Sequence, residues 1–456
     1  MSAKHVIVVV GAGPAGLSVA NLMSKQGHEV VVLNRDIKFG GLAEYGIFPN
    51  KHRLRGGLRK GYWEILTRPN VHYLGNVMVG NGYHLTVEEL RALEPSALVF
   101  STGAQGTKTI GVEGDTAKGV YHAKDCVYHF NLLPGFSASP FEMGQRVAVI
   151  GIGDVMVDIA HWLSSRKRVA EVHVVVRRGP AERKYNPKEI RAVCSYIDQE
   201  SLGRELARVA ARMEAVGQSA EKVLDDMKAE FTKCESPESQ TRMYFHFLSS
   251  PKRVLADAQN HVTGLELEDT RLEVKGADTA AVGLKTTYAL PCDSVVFAVG
   301  DRVDEKVGLP YKGGVFITNP NRTQNDPDDS LFQAYDEASG SVLPGIFLCG
   351  WARKASEGLV GVAKRDGEWC SEVVARYLAT AVPPSEDAAQ KRKRLEALLA
   401  SRQPDLVRAD DLMVLSEMEK QEGQRRDIEE FKFPANEEML AVIRKNKAGA
   451  KVPASR

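Results

Sequence analysis

The residues with the clearest chemical capacity are Gly11, Gly13 and Gly16 of Gly11-Ala12-Gly13-Pro14-Ala15-Gly16, spaced as GxGxxG. In this spacing the first glycine permits a tight turn, the second lets backbone approach a pyrophosphate, and the third allows close helix–strand packing. A helix opening at Pro14 and Ala15 then turns its exposed N–H groups toward the phosphates. A second turn, Gly151-Ile152-Gly153-Asp154-Val155-Met156, repeats the first two glycines and has Met156 at the third position, so its helix should pack less tightly on its strand. Beyond it stands Arg177-Arg178-Gly179-Pro180. An arginine pair suits the additional phosphate of NADP through charge-assisted, often bidentate bonds. Two solvated surface arginines are the alternative, and NADP is favoured over NAD.

Loops of this kind work only when strands and helices hold them. Around the first, His5 to Val10 is apolar, Pro14 to Gln26 is helical in pattern and Glu29 to Leu33 is apolar again, a βαβ unit. The acidic residue expected about 20 residues on, for a ribose hydroxyl, is absent. Asn34 stands there, and an amide can bond that hydroxyl without charge. Around the second loop, Arg146 to Ile150 and Val172 to Val176 read as strands and Val157 to Ser165 as a helix. The fold class is therefore α/β with two Rossmann-like dinucleotide-binding domains, FAD in the first and a nicotinamide nucleotide in the second. Ala97 to Gly103 and Ser294 to Gly300 read as crossings between domains, and Gly345 to Trp351 as a strand delivering a glycine and an aromatic to a ligand. The expected layout is residues 1–107 for the first part of the FAD domain, 108–330 for an inserted NADP domain, and 331–456 for the rest of the FAD domain with a C-terminal helical extension. Pro187 to Met243, charged and helical in pattern, reads as an insertion on the NADP domain, and Lys391 to Arg394 as a helix surface after a Pro383-Pro384 linker.

Composition narrows the partners. With 60 Lys+Arg against 59 Asp+Glu the formal charge is +1, which gives no global field for nucleic acid or an anionic membrane. Any charged partner must be met locally. The 6 cysteines, Cys126, Cys194, Cys234, Cys292, Cys349 and Cys370, form no CxxC pair and no zinc or iron–sulfur ligand set, which points to a reducing compartment. No apolar run approaches the roughly 20 residues that span a bilayer, and a strand-like run begins almost at the initiator methionine. The bacterial cytoplasm is the simplest reading, although a mature organellar protein would look the same.

Taken in order, the motifs resemble a known family. Gly40-Gly41-Leu42-Ala43-Glu44-Tyr45-Gly46-Ile47, Arg177-Arg178-Gly179-Pro180 with Pro187-Lys188-Glu189, Phe247-Leu248-Ser249-Ser250-Pro251, and Gly350-Trp351 with Gly358-Leu359-Val360 are similar to the adrenodoxin reductase type of ferredoxin–NADP reductase. The small subunit of glutamate synthase is a more distant likeness. The resemblance implies FAD contacts at Ala15, Asn34, Leu42, Val79, Trp351 and the Gly358-Leu359-Val360 backbone. It implies NADP contacts at Ile152, Gly153, Asp154, Val155, Arg177, Arg178, Glu189 and Gly358. With Gly11, Gly13, Pro14, Gly16, Gly41 and Gly350 these make up the expected cofactor-binding set, and no metal is expected. Ala355-Ser356-Glu357 departs from the Gly-Pro-Thr usual in the family.

The function implied is passage of two electrons from NADPH to FAD and their release one at a time to a ferredoxin-like iron–sulfur protein. Hydride transfer needs proximity and orientation more than a proton-transferring side chain. For the proton that must still be managed, rough alignment offers His52 and Asp158. Without a thiol pair, electrons are expected to leave the flavin directly. An acidic carrier would dock on local basic clusters: Lys51, His52, Arg53, Arg55, Arg59 and Lys60; Arg204, Arg208 and Arg212 on one helix face; or Arg353 and Lys354. The expected assembly is a monomer or weak dimer. Two other readings stay open: an electron-input subunit of a larger enzyme, and a flavoprotein fold serving only as a binding module.

Overall fold

The computed structural model describes residues 4–276, 278–321, 329–355, 358–381 and 386–450. The chain divides into two units, one of residues 1–108, 128–138 and 300–456, the other of residues 109–127 and 139–299.

In the first unit the runs Val6–Val10 and Glu29–Asn34 are buried along their whole length. β-branched residues covered on both faces favour the centre of a parallel sheet. The sheet runs Gln333–Asp336, Ser341–Leu348, Ala97–Phe100, Val6–Val10, Glu29–Asn34, Val71–Gly75, parallel except for its first strand. Val6–Val10 lies between strands that follow it in the chain on either side, so strand order reverses there. Dinucleotide sites form beyond the carboxyl ends of strands at such a point. One face is covered by helices Pro14–Lys25 and Val360–Thr380 and by the end of the chain, whose Val407, Leu412, Leu415, Met439 and Ile443 join Ile7, Val9 and Val32 in one core.

Two boundaries differ from the sequence expectation. Asp301–Arg302 pairs antiparallel with Gly106–Thr107, and Val303, Val307, Leu309 and Phe316 are buried with Val77, Val79 and Phe100. Residues 300–318 thus belong to the first unit, because that is where their apolar side chains find cover. Tyr128 and Leu133 likewise pack with Tyr45.

The second unit has an all-parallel sheet in the order Val120–His122, Ser294–Phe297, Arg146–Ile150, Glu171–Val176, Arg242–Phe247. Its order reverses at Arg146–Ile150, the strand that feeds the second glycine turn. The expected insertion forms helices Gln199–Glu214 and Ala220–Phe231, each opened by a side-chain cap, Asp198 or Ser219. Three strands, Ser249–Ala256, Val262–Lys275 and Asp278–Pro291, make a separate antiparallel sheet.

Two further expectations are corrected. Cys194 and Cys234, 40 residues apart, form a disulfide that ties the short turn Cys194–Tyr196 to the end of the second inserted helix. Sequence spacing hid it because the two helices between them return the chain to its start. Of the expected helix surface Lys391 to Arg394, Lys393 and Arg394 are exposed, but Lys391 is only 6% exposed and its Nζ donates to the Glu94 carbonyl at 2.7 Å, while Arg392 bonds Glu396 at 2.6 Å. The Pro383-Pro384 linker lies outside the described residues.

Candidate cofactor sites

In the first loop each glycine has a separate physical reason. A Cβ on Gly11 (φ +109°) would lie 2.4 Å from the Ser101 carbonyl oxygen, and one on Gly16 would lie 2.1 Å from the Gly11 oxygen. Neither position tolerates a side chain. A Cβ on Gly13 would meet nothing within 4 Å, so this face of the turn is open to an incoming group. Gly13 also caps helix Pro14–Lys25 with no side-chain bond, which leaves the first helical N–H groups without a side-chain cap. Ser101 holds the loop from below, its Oγ donating to the Gly11 carbonyl at 2.8 Å.

Asn34 has an internal job that the sequence did not show. Its Oδ1 accepts the Ala12 N–H at 3.0 Å, and its Nδ2 donates to the Asp36 and Lys38 carbonyls, both at 2.9 Å, and lies 3.1 Å from the Tyr73 hydroxyl. The residue is 6% exposed and both amide hydrogens are engaged, so only its carbonyl oxygen, which accepts from Ala12, has capacity left. Asn34 is a strut between the glycine turn and the following loop. An uncharged amide suits it because it must accept and donate at once. The neighbouring Arg35 is tied to Asp36 at 2.9 Å and to Gln105 at 2.8 Å.

The Gly40-Gly41 stretch lies against this turn. The Gly40 N–H donates to Ala12 at 2.8 Å, and a Cβ on Gly41 (φ +52°) would come 3.4 Å from the Gly13 Cα. Leu42 opens the short helix Leu42–Tyr45. Val79 is buried in the core on the other face of the sheet, with Val77 and Phe100. Gly350 (φ +62°) starts the turn Gly350–Ala352, its N–H donating to Asp366 Oδ2 at 2.6 Å, and Ala15 is so close that a Cβ on Gly350 would lie 2.8 Å from its own. Trp351 on that turn is half-buried. Gly358 has φ +76°, and Leu359, exposed, caps helix Val360–Thr380 in extended conformation with no side-chain bond. Ser356 and Glu357 lie outside the described residues. The first unit thus gathers Gly11, Gly13, Pro14, Ala15, Gly16, Gly41, Leu42 and Gly350 around one open glycine turn. Asp366, absent from the sequence-level set, fixes both the Gly350 amide and Arg353.

The second unit repeats the logic. A Cβ on Gly151 (φ +134°) would meet the Ala298 carbonyl at 2.4 Å, whereas one on Gly153 would be in open space, and Gly153 caps helix Asp154–Trp162 without a side-chain bond. Met156, at the third glycine's place, is fully buried. The loop is pinned from outside: Asp154 Oδ1 accepts the Asn186 N–H at 2.7 Å and the Ile152 carbonyl accepts the Lys184 N–H at 3.0 Å. Val155 is exposed. After strand Glu171–Val176, Arg177 is exposed while Arg178 is half-buried and bonds Asp278 at 3.2 Å. The two arginines are therefore not equivalent. Glu189 opens the turn Glu189–Ala192, whose Arg191 bonds Glu230 at 2.6 Å.

His52 and Asp158 fall in different units. His52 starts helix His52–Leu66 with its Nδ1 3.0 Å from Glu429. Asp158 is half-buried on helix Asp154–Trp162.

The basic clusters are sorted by their partners. Arg55 is buried and bonds the Ile47, Phe48 and Pro49 carbonyls and Glu430. Arg59 is bidentate to Glu44 at 2.7 and 2.9 Å, Arg208 and Arg212 share Asp269, and buried Arg353 bonds Asp366 and stacks 4.3 Å over the Phe332 ring. Arg55 and Arg353 are internal struts, and Arg59 and Arg212 are half-buried ones. Arg53, Lys60, Arg204, Arg208 and Lys354 are the exposed members, Arg204 pairing with Glu200.

Comparison with known proteins agrees with this architecture. Residues 5–226 match the pyridine nucleotide-disulphide oxidoreductase family. The chain is 25% identical to the mitochondrial NADPH:adrenodoxin oxidoreductase of Arabidopsis thaliana, over 96% of this chain and 95% of that one. It is 26% identical to the NADPH-ferredoxin reductase FprA of Mycobacterium leprae, over 96% and 98%. The structure of Mycobacterium tuberculosis FprA in complex with NADPH superposes with a TM-score of 0.80 at 24% identity, covering 96% of this chain and 99% of that one. The resemblance drawn from the motifs is borne out over nearly the whole chain.

Proposed function

We propose that this chain, a member of the adrenodoxin reductase-type family of ferredoxin–NADP reductases, takes electrons from NADPH onto bound FAD and passes them singly to an iron–sulfur carrier. When bound, the two cofactors supply the hydride and one-electron chemistry themselves. The chain's part is to bind and orient them. The observation that carries the reading is the pair of glycine turns, each at the reversal point of a parallel sheet and each with its first glycine packed against backbone and its middle glycine, Gly13 or Gly153, facing open space. Backbone N–H groups at those helix starts would face the diphosphates.

Arg177, exposed at the end of its strand, would hold the 2′-phosphate of NADP, with Arg178 as a lesser contributor because Asp278 already engages it. Trp351 would flank the flavin ring. His52 and Asp158 are the proposed proton-handling groups, and the carrier would meet the exposed cations Arg53, Lys60 and Lys354. The proposed compartment is the cytoplasm, where the Cys194–Cys234 pair would stand reduced, and the proposed assembly a monomer or weak dimer; no described helix is long and apolar enough to cross a membrane. The test is anaerobic: the protein loaded with FAD is titrated with NADPH, then with an oxidised ferredoxin. Loss and return of the flavin absorbance are expected. A protein that takes up no FAD, or whose flavin NADPH leaves oxidised, overturns the proposal.

A further inference from the structure

We propose that the C-terminal segment carrying Glu419, Glu430 and Lys432 is a positioning element for the FAD loop, and that Lys432 contributes a buried positive charge that strengthens FAD binding. This rests on the assignment of FAD to the first unit.

Gly40 and Gly41 touch the open glycine turn directly, through the Gly40 N–H bond to Ala12 and the approach of Gly41 to Gly13. Three residues on, Glu44 points inward and becomes the centre of a network. Its carboxylate meets Lys38 at 3.1 Å, Arg59 at 2.7 Å and Lys432 at 3.3 Å, and its carbonyl accepts from Lys432 Nζ at 2.7 Å. The end of the chain closes the network from the other side. Glu419 bonds Lys38 at 2.7 Å and accepts the Phe433 N–H at 3.2 Å, and Glu430 bonds Arg59 at 2.9 Å and also Arg55. His52 pairs with Glu429 at 3.0 Å beside it.

Four cations, Lys38, Arg55, Arg59 and Lys432, thus meet three carboxylates, Glu44, Glu419 and Glu430. The side chains of Glu44 and Lys432 are only 5% and 6% exposed. A buried positive excess, poorly screened by water or salt, acts on a dianionic diphosphate at longer range than a surface lysine can. The groups facing Lys432 are Glu44 and the Tyr45 ring, 5.2 Å away, from one helix, Arg55 from another, Lys38 from the loop and Glu430 from its own segment. Burial pushes the Lys432 ammonium down to about 8, against the pull of Glu44 and Glu430. Its charge therefore fades within a range that the folded protein can be studied in.

The sign is distinctive. As pH rises through about 8 the ammonium is lost and FAD should bind less tightly. The ionised form is disfavoured in the folded state relative to an unfolded lysine, so the same change stabilises the apoprotein between about pH 8 and about pH 10.4. A lysine with no bearing on FAD would stabilise the apoprotein in the same way and leave the FAD Kd unchanged.

The test uses the full chain, stripped of FAD, with FAD affinity measured by flavin fluorescence quenching across about pH 7 to about pH 9.5 and apoprotein stability measured by urea unfolding. The native Kd should rise about threefold or more over this range. In Lys432→Met the pH dependence should vanish with Kd already raised at low pH, and in Lys432→Arg, charged throughout, Kd should stay low. A native Kd that does not change with pH, or a Lys432→Arg Kd that rises as the native one does, overturns the inference while leaving FAD binding intact. A chain that binds no FAD at any pH overturns this inference and the functional proposal together.

Discussion

Replacing Asn34 by Asp separates two roles that a sequence cannot. As a ribose ligand, the position would be improved by a carboxylate, the residue usual at the end of the second strand of such units. As a strut it would be damaged. In the structure Nδ2 donates to the Asp36 and Lys38 carbonyls at 2.9 Å and faces the Tyr73 hydroxyl at 3.1 Å, while Oδ1 accepts from Ala12 at 3.0 Å. Aspartate keeps the Ala12 bond. It turns the two carbonyl contacts into oxygen–oxygen contacts, and the Tyr73 hydroxyl, which bonds the Ile37 carbonyl at 2.9 Å, could satisfy the new carboxylate only by leaving that partner. Two lost bonds, each worth about 1 kcal/mol, plus the Lys38 carbonyl left without a donor, the Asp36 carbonyl keeping the Asn76 N–H at 3.2 Å, give a destabilisation of about 2–4 kcal/mol. A proton on the new carboxyl restores one donor, so the loss should be smallest near about pH 4 and full at neutral pH, the direction required when folding raises an acid's pKa. The assay is equilibrium urea unfolding of the apoprotein, with FAD affinity measured in parallel. An Asn34→Asp apoprotein as stable as the native one at neutral pH, binding FAD more tightly, would refute the strut.

Three other substitutions test the rest of the site. Gly13→Ala should leave the apoprotein unfolding midpoint unchanged, since its Cβ meets nothing within 4 Å, but weaken FAD binding at least about tenfold by filling the ligand face, whereas Gly16→Ala should destabilise the apoprotein by about 2 kcal/mol or more. Arg177→Ala should raise the KM for NADPH about tenfold with little effect on that for NADH, as loss of one charge-assisted contact implies, and Arg178→Ala should do less because Asp278 already holds that side chain. Steady-state kinetics with both nucleotides checks the pair, and equal effects on NADPH and NADH would remove the 2′-phosphate role. Cys234→Ser should lower the stability of the oxidised protein by about 2–4 kcal/mol, the entropy released from a closed loop between residues 40 apart, and a reductant should bring the native protein to the same value in urea unfolding.

Much of the fold was legible because it is written in short-range signals. Val6–Val10 and the Val30 to Leu33 core of the next strand are apolar runs that read as buried strands, and the glycines at 11 and 16 fall where close backbone leaves no room for a side chain. What escaped is what long-range contact decides. The partners of Arg55 and Arg59 include Glu430, more than 370 residues away, so two cations of a run that reads as a docking face are paired within the protein, while Arg53 and Lys60 stay exposed. Arg353 is hidden in the same way, with Asp366 as its partner, while Arg208 stays exposed although it pairs with Asp269. Asn34 shows a subtler limit: its place in the chain was right, but the direction in which an amide points depends on Tyr73 and Lys38, which no spacing reveals. Residues 300–318 were assigned to the wrong unit because strand Asp301–Arg302 is too short to announce its pairing with Gly106–Thr107.

The central claim is that electrons pass from NADPH through a flavin bound at the Gly13 turn to a one-electron carrier. Anaerobic stopped-flow absorbance of the FAD-loaded chain, mixed first with NADPH and then with excess oxidised ferredoxin, tests it most directly. The account predicts prompt bleaching of the flavin band by NADPH, much slower bleaching by NADH, and return of the band as two ferredoxins are reduced for each NADPH consumed. A flavin that NADPH does not bleach, or one that bleaches but delivers no electrons to the carrier, would contradict it.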